Sequence, residues 1–528
     1  MAFFKAVATV GGLTMVSRVL GFVRDLLIAR YLGAGAISDA FFIALKLPNF
    51  FRRITAEGSF SVSFVPMFSR ILADDGKDEA LKFAEEAQAV MLAVLIPFTI
   101  LGVVFMPWVL YVLAPGLRGD ELRYDMALEF SRITFPYILM MSLTALLGGV
   151  LNSFHRFGPF ASAPILFNGV MMLSLMFGID WFQTGGHALA WGLALAGVAQ
   201  FAWMIINYWK IGRMLKFRRP QLTPRIRKLF RLMVPGAIGS GAAQINLFID
   251  MILASLLPVG AISFLYYADR LYQLPLGVIG AAIGTALLPM LARALRDENK
   301  RESTRLFGLG FEAGLILSLP AAVGLVVLAE PIMVVLFERG EFTRTDSLES
   351  AYALMAYAAG LPAYVIARVF STAFFAREDT VTPVKFAIIC AVINTLLALA
   401  FIKPLHHVGI ALATGLTAWI NVAMLMYGLH KRRHLDLPSN SLKRGLGIAI
   451  SGGVMALTLW AMMRFGVDGL VYGDQLQKIM GLSALVGGGG LVYFAGLWSF
   501  RIITPDVLKA LFPKRAKKAK IAGNSNEG

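Results

Sequence analysis

This sequence predicts an all-α polytopic membrane protein of about fourteen spanning helices, because apolar residues dominate it, charges are scarce and the apolar runs are long enough to cross a bilayer. Of its 528 residues, 58% are hydrophobic and 15% charged. Soluble domains run nearer 45–50% apolar, with roughly 25% charged. Mean hydropathy is +0.70. The hydrocarbon core is about 30 Å thick, so each crossing takes about 20 apolar residues. Windows of that kind fall at 6–31, 37–64, 87–113, 127–151, 160–180, 187–209, 232–256, 263–290, 307–329, 348–374, 384–402, 408–429, 446–464 and 479–500. Lys5 and the apolar run Ala6–Val16 have the outline of a secretion signal. Arg18, Arg24 and Asp25 follow closely with no convincing cleavage motif, so residues 1–31 are expected to stay as the first helix. The single cysteine, Cys390, lies in an apolar run and offers neither a disulfide nor a zinc site.

The net charge of +17 is unevenly placed. With the N-terminus in the cytoplasm, segment 210–231 carries Lys210, Arg213, Lys216, Arg218, Arg219, Arg225, Arg227, Lys228 and Arg231 with no acid. Segments 291–306 and 430–445 and the tail beyond 500 are also basic, whereas 181–186, 257–262 and 465–478 are almost free of Lys and Arg. That alternation is the positive-inside pattern for an even number of spans with both termini cytoplasmic. No nucleic-acid motif accompanies the basic charge, so membrane topology and anion handling account for it.

The chain also repeats itself. Gly35-Ala36-Ile37-Ser38 returns as Gly260-Ala261-Ile262-Ser263, and Pro66-Met67 as Pro289-Met290. Phe135-Pro136-Tyr137 returns as Leu361-Pro362-Ala363, and Phe154-His155-Arg156 as Phe375-Ala376-Arg377. The offsets are 225 (260 − 35), 223 (289 − 66), 226 (362 − 136) and 221 (375 − 154). A shift spanning six helices gives two parallel six-helix repeats, an architecture of transporters. The expected organisation is an N-lobe at 1–209, a basic linker at 210–231, a C-lobe at 232–429, two further helices at 430–500 and a basic tail at 501–528.

Charges sit where lipid should be. The first helix holds Arg18, Arg24 and Asp25; the second holds Asp39, Lys46, Asn49, Arg52, Arg53 and Glu57. At about 2.5–3.5 kcal/mol per charged residue at a helix centre, three unpaired arginines would cost roughly 8–10 kcal/mol, so they must face water, counter-ions or a substrate. Asp25 lies two turns from Arg18 on one face, and Asp39, Lys46, Arg53 and Glu57 share a stripe, subject to a kink at Pro48. Arg18–Asp25 and Arg53–Glu57 are therefore also readable as ion pairs, and Lys46 as a snorkelling side chain. Arg24 and Arg52 lie off these stripes without an i+4 partner. Arg270, in Tyr266-Tyr267-Ala268-Asp269-Arg270, occupies the matching place in the second repeat. Guanidinium forks bind phosphate oxygens two at a time. Arg18, Arg24 and Arg52 on one wall and Arg270 on the other would clamp a diphosphate. Asp250 and Asn394 read as a helix–helix hydrogen bond more readily than as a cation site.

These motifs carry a family resemblance. SRVLGFVRD (17–25), SDAFFIALKLPN (38–49), FRRITAEGSFSVSFVP (51–66), TFPYI (134–138), LYYADRLYQLPLGVIGAAIGTALLP (265–289) and TPVK (382–385) closely resemble the MurJ/MviN family of lipid II flippases. The family lies in the superfamily of multidrug and polysaccharide exporters. The resemblance implies a fourteen-helix fold in the bacterial inner membrane, with the last two helices lining a groove for a polyprenyl tail. It implies transport of lipid II, the undecaprenyl-diphosphate-linked muropeptide, without a cofactor, among membrane lipids and alongside the cell-wall synthesis machinery. Motif by motif it carries over Arg18, Arg24, Arg52 and Arg270 as cavity arginines, and Asp25, Asp39, Asn49 and Glu57 as supporting polar groups. Some members have a sodium site with acids on helices 7 and 11, but no acid lies between 386 and 402 here. Export of another polyprenyl-diphosphate oligosaccharide is the neighbouring reading. A cation-coupled drug exporter would want an acid-lined cavity. A lipid-sugar enzyme would want paired acids or a histidine cluster; the six histidines are scattered and no phosphate-binding loop occurs.

Overall fold

Inside a bilayer each backbone N–H must be satisfied within its own segment, which makes the helix the default for an apolar run. The computed structural model describes residues 2–52, 60–211, 216, 218–435, 438, 440–467 and 472–503. Arg53, Glu57, Arg213 and the tail beyond 503 lie outside the described residues. The first repeat consists of α1 (Ala2–Leu32), α2 (Ala36–Arg52), α3 (Ser61–Asp74), α4 (Gly76–Val104), α5 (Met106–Leu113), α6 (Glu121–Thr134), α7 (Tyr137–Ser153), α8 (Gly158–Gly178) and α9 (Gly185–Trp209). The second consists of α10 (Pro224–Ser255), α11 (Ala261–Arg296), α12 (Lys300–Val327), α13 (Ala329–Phe337), α14 (Arg344–Ala359), α15 (Leu361–Phe375) and α16 (Val381–Lys431). Helices α17 (Ser441–Met462) and α18 (Gln475–Ser499) follow, and no strand occurs among the described residues.

The repeat shows in the helix boundaries. Helices α4, α6, α7 and α8 begin at 76, 121, 137 and 158; α12, α14, α15 and α16 begin at 300, 344, 361 and 381, a shift of 223 or 224 each time (300 − 76, 344 − 121, 361 − 137, 381 − 158). Even the left-handed residue closing α7, His155 (φ 58), has its counterpart after α15 in Glu378 (φ 62).

Among the described residues, nine segments are long and apolar enough to cross a membrane by length and composition. Helices α1, α2, α10 and α11 hold the intramembrane charges read from the sequence. Val94, Ile100, Leu101 and Val104 of α4, Val392 and Leu396 of α16, and Leu491 and Trp498 of α18 are exposed. Such an apolar surface suits lipid and is rare on soluble monomers. The windows 384–402 and 408–429 are two helices within the range labelled α16, separated where His406 leaves helical geometry (φ 48, ψ −131) just after Pro404. Windows 127–151 and 348–374 each start earlier and break at a proline or glycine, giving α6–α7 and α14–α15.

The packing divides into two compact units. The first comprises residues 1–270, 336–353 and 394–411. Its core stacks Phe60 on Phe64 and Phe64 on Phe83, with Tyr208, Ile226 and Leu229 alongside. Pro48 inside α2 has no N–H to give the Ala44 carbonyl four residues back; the Thr134 hydroxyl of α6 donates to it instead, at 3.1 Å.

The second unit comprises residues 271–335, 354–393 and 412–528. Phe307, Phe370 and Phe374 fill one core, and Ile316, Leu459, Leu485 and Tyr493 a second that fastens α17 and α18 to α12. The buried Glu312 carboxylate of α12 accepts from Ser441 and Arg444 of α17, both at 2.9 Å. In the loop after α15, Asp379 accepts from the Thr382 backbone N–H at 3.0 Å and pairs with Arg432. Burial works to raise the Asp379 pKa, but the Thr382 bonds and Arg432 outweigh it and bring it down to about 2. An unfolded aspartate titrates near pH 4. The native state thus binds fewer protons than the unfolded state between those values, and this stabilisation is complete above about pH 4 and lost as pH falls toward 2. Thermal melting of the wild type should therefore fall more steeply over that interval than melting of Asp379→Asn; parallel curves would contradict the assignment.

Candidate substrate-binding site

Two guanidiniums share one carboxylate within the first unit. Arg24 donates to Asp25 Oδ1 from Nε at 3.1 Å and Nη2 at 2.7 Å. Its Nη1 donates to Asn168 Oδ1 of α8 at 2.9 Å, and Asn168 Nδ2 in turn donates to the Ser17 carbonyl at 3.0 Å. The Tyr266 hydroxyl of α11 donates to Asp25 Oδ1 at 3.0 Å. Arg270 Nη2 donates to the Tyr266 oxygen at 3.0 Å, while its Nε lies 3.4 Å from Asp25 Oδ2, an ion pair without a hydrogen bond. The Tyr266 ring stacks on Phe42, with ring centroids 3.8 Å apart, and the Arg270 guanidinium lies over it, 4.6 Å from its centroid. Arg24 and Asp25 are 8% and 3% exposed, whereas the Arg270 side chain is 37% exposed. The buried pair therefore anchors an accessible cation.

This corrects two expectations. Arg24 is not uncompensated: Asp25, its immediate neighbour, takes it. Asp25 is not Arg18's partner either; its oxygens are occupied by Arg24, Tyr266 and Arg270. Helical spacing favoured i, i+7 over i, i+1. The tertiary contact with α11, 241 residues away, draws Asp25 toward Tyr266 and leaves Arg24 to follow it. Arg18 is exposed, with neither ion-pair nor hydrogen-bond partner among the described residues. Arg52 closes α2, where its Nε donates to Asn49 Oδ1 at 3.2 Å; Asn49 Nδ2 is tied to the Leu45 carbonyl at 2.8 Å. Asn49 thus positions Arg52.

Asp39 does not join this cluster. Fully buried, it accepts from the backbone N–H groups of Gly260 (2.8 Å) and Ser263 (2.9 Å) and from the Ser263 hydroxyl (2.6 Å). These are N–H groups at the start of α11, which have no partner within their own helix. Arg123 of α6 lies 3.3 Å away and balances the charge, and its Nη1 reaches the Leu257 carbonyl at 3.4 Å. Lys46, expected on a stripe with Asp39, is not its ion-pair partner; Arg123 is. Asn394 Nδ2 donates to Asp250 Oδ1 at 3.4 Å, the helix–helix hydrogen bond expected of that pair. Among the described residues no three His, Cys, Asp or Glu side chains are grouped to hold a metal ion.

Asn168, Tyr266, Ser263 and Arg123 complete the arrangement, and the sequence did not single them out for it. The signal for Ser263 was present: the recurring Gly-Ala-Ile-Ser motifs meet, with Ser263 Oγ and Ser38 Oγ 3.0 Å apart.

A duplicated helical bundle with charged side chains held among its apolar helices defines a membrane transporter. The fold is similar to that of a multidrug-resistance MATE transporter of the MOP superfamily solved in an inward-facing conformation, with TM-score 0.64 at 15% identity over 81% of this chain and 98% of that one. The family model of lipid II flippase MurJ matches residues 28–476, and the chain belongs to that family. It is 39% identical to the probable lipid II flippase MurJ of Rhizobium meliloti (strain 1021), over 94% of this chain and 93% of that protein. It is 32% identical to the lipid II flippase MurJ of Burkholderia cenocepacia, over 98% and 100%. A solved lipid II flippase MurJ in an inward closed conformation superposes with TM-score 0.76 at 26% identity, covering 93% of this chain and 98% of that one. The chain is a multi-pass membrane protein.

Proposed function

We propose that this protein carries lipid II, the lipid-linked peptidoglycan precursor, from the cytoplasmic to the periplasmic leaflet of the bacterial inner membrane by alternating access. The observation that carries the reading is the surplus of cations on the charged helices. Arg24 and Arg270 share the single carboxylate of Asp25, while Asp39 is balanced by Arg123. A cation in excess among apolar helices calls for an anionic cargo, and a diphosphate matches the guanidinium forks. In this reading the two six-helix lobes move about a central cavity, the C-terminal helix pair accommodates the polyprenyl chain, and both termini face the cytoplasm. The head group enters with Arg24 and Asp25 already locked and Arg270 free to exchange its long contact to Asp25 for phosphate oxygens. The chain itself makes and breaks no bond of the substrate.

Proteoliposomes test this. With fluorescent lipid II in one leaflet, vesicles holding the protein should pass it to the other, where an impermeant quencher reads it. Vesicles holding an organic-cation dye should show no protein-dependent efflux. Lipid II crossing no faster than in protein-free vesicles, or dye efflux in its place, would refute the reading.

A further inference from the structure

Four glycines bring backbone against backbone at one end of the first unit. A Cβ added at Gly116, in the turn after α5, would lie closer than 3.0 Å to the carbonyl oxygen of Ser255, the last residue of α10. One added at Gly340, in the turn after α13, would crowd the carbonyl of Arg30 in the last turn of α1 in the same way. Gly33 meets the carbonyl of Glu341, and Gly260 that of Ala34. Gly33 and Gly340 also have φ of +61° and +62°, which side chains disfavour. Each turn is then hydrogen-bonded to the helix end it touches: Gly116 N–H to Ser255 Oγ at 3.2 Å, and Glu341 N–H to the Arg30 carbonyl at 2.9 Å.

The two contacts are copies of each other. Gly340 follows Gly116 by 224 residues (340 − 116) and Ser255 follows Arg30 by 225 (255 − 30), the shift of the internal repeat. In each, a turn of one repeat grips the end of the first helix of the other. The Asp39 bonds to Gly260 and Ser263, and the Arg123 bond to Leu257, bind the neighbouring start of α11. Backbone surfaces meeting through glycines can part and meet again without repacking large side chains, unlike an interdigitated core.

We propose that Gly116 and Gly340 form a paired steric latch that holds this end of the bundle shut and sets how often it opens. The proposal rests on the alternating-access reading, in which each end must open in turn.

The test is the labelling rate of a buried reporter, which needs no lipid II. Ala261, beside Gly260, is 3% exposed; Ala261→Cys in a Cys390→Ala background is treated with an impermeant maleimide on each side of proteoliposomes. Labelling should be slow in this parent and rise at least about tenfold on adding Gly116→Ala or Gly340→Ala, since a forced Cβ disfavours the closed contact. Gly119→Ala, whose Cβ would have no neighbour within 4 Å, should leave the rate unchanged. Ser255→Ala removes the acceptor of the Gly116 N–H without adding bulk and should raise labelling about threefold. Parent-like labelling in both glycine variants, or in Ser255→Ala should the glycine variants not fold, would overturn the latch. If the wild type moves no lipid II yet the glycine variants label faster, the transport reading fails and the latch stands.

Discussion

Arg270→Gln is expected to abolish lipid II translocation while leaving the protein folded. Arg270 is the accessible guanidinium of the Arg24–Asp25–Arg270 cluster and holds Asp25 only by a 3.4 Å contact. Without it, Asp25 keeps both bonds from Arg24 and the bond from Tyr266, so no buried charge is orphaned. What disappears is the one positive charge in excess of the carboxylate. Hydrogen bonds to charged groups are worth about 1.5–3 kcal/mol each, so losing a two-pronged grip on a diphosphate should lower the transport rate by about 100-fold or more. Arg270→Lys keeps the charge without the fork and should retain partial transport. Arg24→Gln is a less clean test, because it strips Asp25, 3% exposed, of its closest partner and endangers folding. Melting temperature and quencher-detected translocation, measured on the same preparations, separate the two effects. Unimpaired transport by Arg270→Gln would remove Arg270 from the substrate path.

Asp39→Asn should be the most destabilising single substitution among the site residues. It leaves Arg123, 3% exposed, without its closest counter-charge, and turns an amide NH2 toward backbone N–H groups that need an acceptor. Breaking a buried pair from one side costs about 3–5 kcal/mol. Ser263→Ala removes only the 2.6 Å hydroxyl bond and should cost about 1 kcal/mol. The double variant Asp39→Asn/Arg123→Gln removes both charges and should recover much of the loss. Thermal melting in detergent reads all three; a double variant no more stable than Asp39→Asn would show that the Arg123 pairing contributes little.

Most of the architecture was legible in the sequence, since span length and apolar runs answer to one physical demand, the satisfaction of backbone hydrogen bonds in lipid. The windows fall on helices wherever they are described, and four short motifs gave the repeat that the helix boundaries reproduce. The candidate site was legible in its members and not in its pairing. Arg24, Asp25 and Arg270 stand out as charges in apolar helices. That Asp25 bridges the two arginines depends on Tyr266 reaching it from another helix, which no periodicity within α1 encodes. Asp39 was read as part of a polar stripe on α2, yet it serves the start of α11 through contacts about 220 residues away in sequence. Arg123 sits at the polar edge of a window, where a basic residue is unremarkable until its carboxylate partner is placed beside it.

The central claim is that a guanidinium in excess of its carboxylate partner holds the diphosphate of the cargo. Equilibrium binding of lipid II to purified wild type and Arg270→Gln in nanodiscs tests it most directly, with the monophosphate-linked analogue as a comparison. The account predicts that Arg270→Gln weakens lipid II binding by about 100-fold and erases the preference for diphosphate over monophosphate. Equal affinity of the two proteins for lipid II, with the diphosphate preference intact, would contradict it.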